Sequence, residues 1–235
     1  MIDRIVEYDK IVFKFLNGIN SPLWNDIMWW ISDNLIWIPL YFVLLVMIIY
    51  RDFSFRSVFT VLFVVAAVAL SDQISGLIKF LVERPRPSHY FSIDEIHLLK
   101  NPDTGEYYKG GAFGFVSSHA ANVFCAAAFL TNHFKGYKWG LFLFGWATVV
   151  SYSRIYLGVH YPLDIIFGAL IGALIGIQFY VFKVRTSVFF ERKIEIRKDK
   201  KLMALKLKQR EESKKIKNGN DTTTKSSETD TKRPE

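Results

Sequence analysis

Three short stretches of the chain bring together cations, hydroxyls, imidazoles and one carboxylate, each where an apolar run meets a polar segment. They are Lys79 with Arg86, then Ser117, Ser118 and His119, and then Arg154 with His160 and Asp164. Cations at a membrane boundary need an anionic partner, and a doubly charged phosphate would satisfy all of them. A histidine with a carboxylate four residues later can act as a nucleophile. The combination predicts a membrane phosphatase.

The three cations suit a phosphoryl group in different ways. Lys79 offers a compact point charge, whereas the planar guanidinium of Arg86 can bind two oxygens at once. The Arg-Pro-Arg-Pro stretch at 84–87 cannot continue a helix, so the chain can fold back and bring Arg86 to the group that Lys79 binds. Arg154 would add a third charge. Any one of these side chains could instead reach lipid headgroups at the interface, but that alternative explains the set poorly.

The Ser117-Ser118-His119 stretch opens an apolar run that we expect to be helical. The first amides of a helix lack internal partners and favour anions, so the backbone here can hold a phosphate. Ser117 also suits the N-cap position. Capping alone would explain the serines but not His119.

His160 and Asp164 flank Pro162, a residue that favours the first turn of a helix. The carboxylate can then reach the imidazole, fix its tautomer and leave the other nitrogen free to attack phosphorus. A lone histidine at the end of a span is more often an interfacial residue. Its pairing with Asp164 and its spacing from Arg154 favour catalysis.

Asp72 lies within an apolar stretch, where a carboxylate is costly and usually has a partner. It precedes Lys79 by two helical turns, or about 10 Å along the same face. We expect it to support the site from below, bonded to Ser151 or Ser153. The alternative is a helix–helix hydrogen bond without catalytic effect.

We expect no metal and no cofactor, because acidic residues are few and the cations supply the charge that a metal would.

Long apolar runs indicate the fold class. Of the 235 residues, 51% are hydrophobic and 16% aromatic. The runs predict spans at about 35–50, 57–82, 117–134, 138–156 and 161–184, of which the last is long enough to cross a hydrocarbon core of about 30 Å. Trp and Tyr cluster near the ends of several runs, as in interfacial belts. The sequence predicts an all-α polytopic membrane helix bundle with about five transmembrane spans.

The flanking segments divide the chain into three parts. Residues 1–33 mix apolar and charged positions and predict an N-terminal interfacial or re-entrant helical segment. Residues 34–185 form the predicted transmembrane core. Residues 186–235 hold 15 Lys/Arg and nine Asp/Glu, and predict a basic tail that is helical to about 217 and disordered beyond. The tail either associates with anionic lipid or serves only to orient the spans.

Basic residues orient the spans. If five spans alternate, the turns at 51–56 and 135–138 and the tail lie on one side, and all three are basic. The positive-inside rule places that side in the cytoplasm. The 83–116 connection and the 157–160 turn then face outward with all three motifs, so we expect an extracytoplasmic active site in a multi-pass protein of the cell membrane.

The three stretches resemble the three signature motifs of the type 2 phosphatidic acid phosphatase family. They read Lys79-x6-Arg86-Pro87, Ser117-Ser118-His119 and Ser153-Arg154-x5-His160-x3-Asp164, within a resemblance that covers about residues 20–185. Val116 stands where the family usually has Pro, and Ser118 where it often has Gly. The resemblance implies that Lys79, Arg86 and Arg154 bind phosphoryl oxygens. It also implies that His119 protonates the leaving group and that His160 forms a phosphohistidine.

The leading hypothesis is therefore a metal-independent hydrolase of a lipid phosphate or diphosphate. Its partners would be the lipid substrate and the bilayer, with no nucleic acid, and the sequence leaves the oligomeric state open. A polyprenyl (undecaprenyl) diphosphate phosphatase, a glycerolipid phosphatase and a lipid A phosphatase remain open alternatives. A catalytically silent lipid-phosphate binder or transporter is a rival that His119, His160 and Asp164 disfavour. A vanadate-dependent haloperoxidase shares the anion site but is normally soluble.

Overall fold

The computed structural model describes residues 2–52 and 55–227. They form eight α-helices and no β-strand within these ranges. The helices are α1 (Ile2–Gly18), α2 (Pro22–Ser32), α3 (Ile38–Asp52, preceded by a 3-10 turn at Leu35–Trp37), α4 (Phe55–Val82), α5 (Pro87–Tyr90), α6 (Ser118–Phe134), α7 (Tyr137–Tyr156) and α8 (Pro162–Ser227). The chain divides into two units, Met1–Val184 and Arg185–Glu235.

The expected all-α membrane bundle is confirmed. Over the described residues, three segments are long and apolar enough to cross a membrane, namely Leu35–Asp52, Arg56–Val82 and Pro162–Glu211. Helices α6 and α7 occupy the other two expected spans without meeting that standard. Helix α6 is the shorter of the two, with 17 residues, ten of which are buried by other parts of the protein. The count of five spans stays a prediction.

Helix α6 lies at the centre of the bundle and packs against α4 and α7. Its apolar side chains share a buried cluster with residues of α3 and α7, including Leu44, Phe129 and Leu143. A central helix of this kind fixes where the neighbouring helices begin. Its first turn, which contains Ser118 and His119, is therefore held at a defined place.

Helix α8 approaches the backbone of α6 closely through a row of buried glycines. A Cβ added at Gly168 would lie 2.6 Å from the carbonyl oxygen of Ser117, and one at Gly172 would overlap the carbonyl oxygen of Ala121. Small residues four apart allow such backbone contact between membrane helices. At the top of this contact the Ser117 N–H donates to the carbonyl of Asp164 at 2.9 Å. The glycine row thus sets the register between two of the three motifs.

The N-terminal helices belong to the same unit as the core. Asp9, Phe13 and Asn17 lie one turn apart on α1 and are buried. The Asn17 amide donates to the carbonyls of Ile155 and Tyr156 at 3.0 Å, which ties α1 to the end of α7. The opposite, largely apolar face of α1 stays exposed. The interfacial placement of residues 1–33 remains a prediction.

The second unit contains the rest of α8. The helix continues to Ser227, ten residues beyond the predicted end near 217. The segment 218–227 contains one glycine and no proline, so nothing in it forces the helix to stop. The remainder of the predicted disordered tail, residues 228–235, lies outside the described residues.

Candidate active site

The first and second motifs meet where α4 ends and α6 begins. Lys79, in the last turn of α4, donates from Nζ to the Ser118 hydroxyl. The Ser75 hydroxyl, one turn earlier on α4, lies 2.8 Å from the same oxygen. The ammonium group is therefore held at the N-terminus of α6, where the unpaired amides already favour an anion.

The 83–116 connection folds back over this point, as the Arg-Pro-Arg-Pro stretch predicts. The Arg86 N–H donates to the carbonyl of Ala112 at 3.2 Å, and its Nε donates to the carbonyl of Phe113 at 3.0 Å. Gly114 lies so close to the third motif that an added Cβ would be 2.9 Å from Asp164 Oδ2. The close approach of this glycine lets the connection cover the site.

His160 and Asp164 come together at the start of α8. The Nδ1 atom of His160 lies 3.4 Å from Asp164 Oδ2, and both side chains are almost fully buried. The same carboxylate oxygen accepts the backbone N–H of Tyr161 at 2.9 Å. With Nδ1 facing a carboxylate, Nε2 is the nitrogen left to react.

Three cations act electrostatically on the His160 imidazole. Burial is the main cause that lowers the pKa of His160, and the charges of Arg86, Arg154 and Lys79 lower it further. His160 is therefore neutral at neutral pH, the form in which an imidazole is a nucleophile. The three cations and His160 also act electrostatically on His119. Residues of all three motifs therefore share one site.

Arg154 is positioned by residues that the motif does not contain. Its Nη1 donates to the Ser32 hydroxyl at the end of α2, and its Nη2 donates to the Tyr108 hydroxyl at 3.2 Å. Its Nε is buried and has no hydrogen-bond partner in the described protein. A buried donor without a partner is costly, so this N–H is available for an anion.

Arg84 is a site residue that the motif analysis did not assign. Its two terminal nitrogens each donate at 2.7 Å, one to Asp164 Oδ1 and the other to Asp9 Oδ2. Its guanidinium also lies 4.1 Å from the centre of the Tyr161 ring. Arg84 thus connects α1 to the carboxylate that orients His160.

A signal for this link was present in the sequence. Asp9, Phe13 and Asn17 recur every four residues on α1, a spacing that puts them on one helix face. An acidic residue on a buried face needs a cation. The signal did not identify Arg84 as that cation.

Ser117 is fully buried and forms the N-cap of α6. Its hydroxyl accepts the backbone N–H of Ala120 at 3.4 Å, and its own N–H is bonded to Asp164. Both groups therefore have protein partners in this arrangement. Ser118, in contrast, presents its hydroxyl to Lys79.

His119 lies beside a cavity of about 680 Å³ that is walled mainly by apolar side chains of α3, α4 and α6. Pockets of this size hold small ligands or parts of larger ones. Ser118 also borders the cavity. The site therefore has a polar region with cations and an adjoining apolar region, and His119 lies between them.

The expected partner of Asp72 was wrong. Asp72 accepts a hydrogen bond from the Asn122 amide at 3.0 Å. Ser153 bonds the carbonyl of Val150 in its own helix, and the Ser151 hydroxyl has no partner in the described protein. The physical reason is helix packing, because α4 faces α6 whereas both serines lie on α7.

Fold and site together define a helix bundle in which Lys79, Arg86 and Arg154 act on one buried histidine at the helix ends. The PAP2 superfamily model matches residues 60–187. A lipid A 4'-phosphatase of Bacteroides thetaiotaomicron is 34% identical over 187 residues, which cover 77% of this chain and 79% of that protein. An undecaprenyl-diphosphatase of Sulfolobus acidocaldarius is 30% identical, with coverage of 74% and 78%.

Among solved structures, LpxE of Aquifex aeolicus aligns with a TM-score of 0.54 and 26% identity, covering 72% of this chain and 92% of that one. The fold class and the motif resemblance are thereby confirmed. The chain belongs to the PAP2 superfamily.

Proposed function

We propose that the protein is an integral membrane phosphatase that hydrolyses a lipid phosphate or diphosphate through a phosphohistidine intermediate at the extracytoplasmic face. Membership of the PAP2 superfamily and the lipid phosphatases among its relatives support the reaction class. The observation that carries the mechanism is the buried His160–Asp164 pair, together with the three cations, Lys79, Arg86 and Arg154, whose charges act on His160.

In the first step the phosphoryl oxygens bind Lys79, Arg86 and the Nε–H of Arg154. Nε2 of His160 attacks phosphorus while the bond from phosphorus to the lipid oxygen breaks. The cations stabilise the negative charge that redistributes over the phosphoryl oxygens in the transition state. Asp164 stabilises the positive charge that develops on the imidazole ring of His160.

The negative charge of the bound phosphate favours the imidazolium form of His119, and His119 then supplies the proton that the departing lipid oxygen needs. Its place between the cations and the apolar cavity supports this role, because the lipid body would occupy the cavity and the ester oxygen would lie at the boundary. In the second step water attacks the phosphohistidine, and His119 accepts the proton of that water. Release of phosphate returns both histidines to their starting forms.

Replacement of the nucleophile tests the mechanism. His160→Ala should abolish phosphate release. Wild-type protein that is incubated with ³²P-labelled substrate and quenched in alkaline detergent, which preserves acid-labile phosphohistidine, should retain label that the variant lacks. His89→Ala is the matched control, because His89 lies on the same connection as Arg86 but is exposed, and it should turn over normally. Appreciable turnover by His160→Ala would rule out the covalent step.

The membrane orientation needs a separate experiment. A cysteine placed at Gly105, in the 83–116 connection, should react with an impermeant thiol reagent in intact cells. A cysteine placed at Asn218, in the tail, should react only after permeabilisation. The opposite pattern would place the active site in the cytoplasm.

One assay distinguishes a phosphatase from a catalytically silent lipid-phosphate binder and also tests whether the activity needs a metal. Purified protein in detergent should release phosphate from a panel of lipid phosphates and diphosphates in the presence of EDTA. Binding without release from any lipid of the panel would favour a binder or transporter. Activity that EDTA removes would overturn the expected metal independence.

A further inference from the structure

The cavity beside His119 contains an unusual polar pair. Its walls are mostly valine, leucine and alanine, yet Asp72 of α4 and Asn122 of α6 also line it. The pair lies on the two helices that carry Lys79 and Ser118, on the apolar side of the phosphate site. Polar groups at membrane depth are costly, and ionisable ones there commonly belong to functional sites.

The hydrogen bonding of the pair is incomplete. The Asn122 amide nitrogen donates to Asp72 Oδ1 at 3.0 Å, but the Asn122 carbonyl oxygen is buried and has no hydrogen-bond partner in the described protein. Asp72 is exposed, and it borders the cavity rather than a helix interface closed on all sides. A carboxylate exposed to a mainly apolar cavity is paired favourably by a ligand that donates a hydrogen bond.

The position of the pair defines which part of a lipid it would meet. Asn122 is four residues, or about 6 Å, beyond Ser118 along α6, and Asp72 is about 10 Å from Lys79 along α4. A group at that depth is a few bonds from phosphorus, where the phosphate ester joins the chain-bearing part of the lipid. The pair therefore faces the linkage region of a lipid and not its distal chains.

We propose that Asp72 and Asn122 are specificity-determining residues that accept a hydrogen bond from an amide N–H or a hydroxyl next to the phosphate-bearing carbon. This inference rests on the proposed function and narrows its substrate class. Prenyl phosphates and diacylglycerol phosphates have no donor in that region. Phosphorylated lipids with amide-linked chains or hydroxyls there do, so they are the preferred class.

Two lipid phosphates that differ in this region provide the test. Ceramide 1-phosphate carries an amide N–H and a hydroxyl near the phosphate, whereas phosphatidic acid of equal acyl length carries esters. The wild-type protein should show a kcat/KM at least about tenfold higher for ceramide 1-phosphate, a difference of about 1.4 kcal/mol. Equal values for the two lipids would overturn the inference.

Substitutions assign the preference to the pair. Asp72→Val combined with Asn122→Leu removes both polar groups together, so neither is left unpaired in the fold, and the ratio of the kcat/KM values of the two lipids should fall to about one. Val65→Ala, which enlarges the same cavity without a change in polarity, is the control and should keep the preference. Retention of the preference by the double variant would overturn the assignment.

A binding measurement separates this inference from the proposed function. Thermal stabilisation of the His160→Ala variant by each lipid reports preference without turnover. If no lipid is hydrolysed by the wild-type protein but ceramide 1-phosphate stabilises this variant more than phosphatidic acid does, the proposed function fails and the specificity assignment holds. Equal stabilisation by the two lipids would contradict the assignment.

Discussion

Arg84→Gln is the substitution whose effect the structure defines most closely. Arg84 is 15% exposed and bridges two carboxylates, Asp9 and Asp164, that are 1% and 0% exposed. Glutamine removes the charge and leaves both acidic side chains without their main cation. Loss of one partner from a buried ion pair costs about 3–5 kcal/mol, and we expect a destabilisation of that size.

Part of this loss should appear in catalysis. Each charge-assisted hydrogen bond contributes about 1.5–3 kcal/mol, and one of the two that Arg84 makes is to the carboxylate that orients His160. If that contribution is needed when the imidazole becomes positive, kcat should fall about 10- to 100-fold, because about 1.4 kcal/mol corresponds to tenfold in rate.

A second substitution, assayed for both kcat and melting temperature, distinguishes a loss of stability from a loss of catalysis. Asp9→Asn alone removes the other partner of Arg84 and leaves the bond to Asp164, so its kcat should stay within a few-fold of wild type. The double variant, Arg84→Gln with Asp9→Asn, contains no unpaired charge at position 9. Its melting temperature in detergent should recover in part while its kcat stays low.

Two results would refute this reasoning. Wild-type kcat in a folded Arg84→Gln variant would show that Asp164 does not depend on Arg84. Recovery of kcat together with melting temperature in the double variant would show that Arg84 acts only through the overall stability of the fold.

Three further predictions follow from the packing and the site. Arg154→Lys should lower kcat about 10²–10³-fold, since a point charge cannot hold Ser32 and Tyr108 and also donate to a phosphoryl oxygen; near-normal turnover would remove Arg154 from the phosphate site. Gly172→Leu should abolish stable folding, because the leucine side chain would overlap the backbone of α6 at Ala121; the measurement is monodispersity after extraction. Gly145→Leu, at a position with open space around it, is the control and should be tolerated. Truncation after Arg192 should leave turnover of the correctly inserted protein unchanged, because every site residue precedes residue 165, and a strong loss of turnover would show that the tail regulates the site.

Much of the site was readable from the sequence because the relevant rules act over a few residues. Ser117 caps α6 as its hydroxyl and position predict, and Pro162 opens α8 as its fixed backbone angle predicts. The His160–Asp164 spacing spans a single turn, so the chain has little freedom to separate the two side chains. The apolar runs likewise determine the helical membrane class. The ends of α3, α4, α6 and α7 fall close to the ends of those runs, whereas α8 continues past residue 184 to Ser227.

The tertiary structure decided everything that depends on which helices are neighbours. Asp9 and Arg84 are 75 residues apart, and Ser32 and Arg154 are 122 apart, so no local rule relates them. Asp72 was expected to bond α7 and bonds α6 instead. That outcome depends on the packing of whole helix faces, because α4 packs against α6. A span of apolar residues shows that a helix exists, but only packing shows what the helix faces.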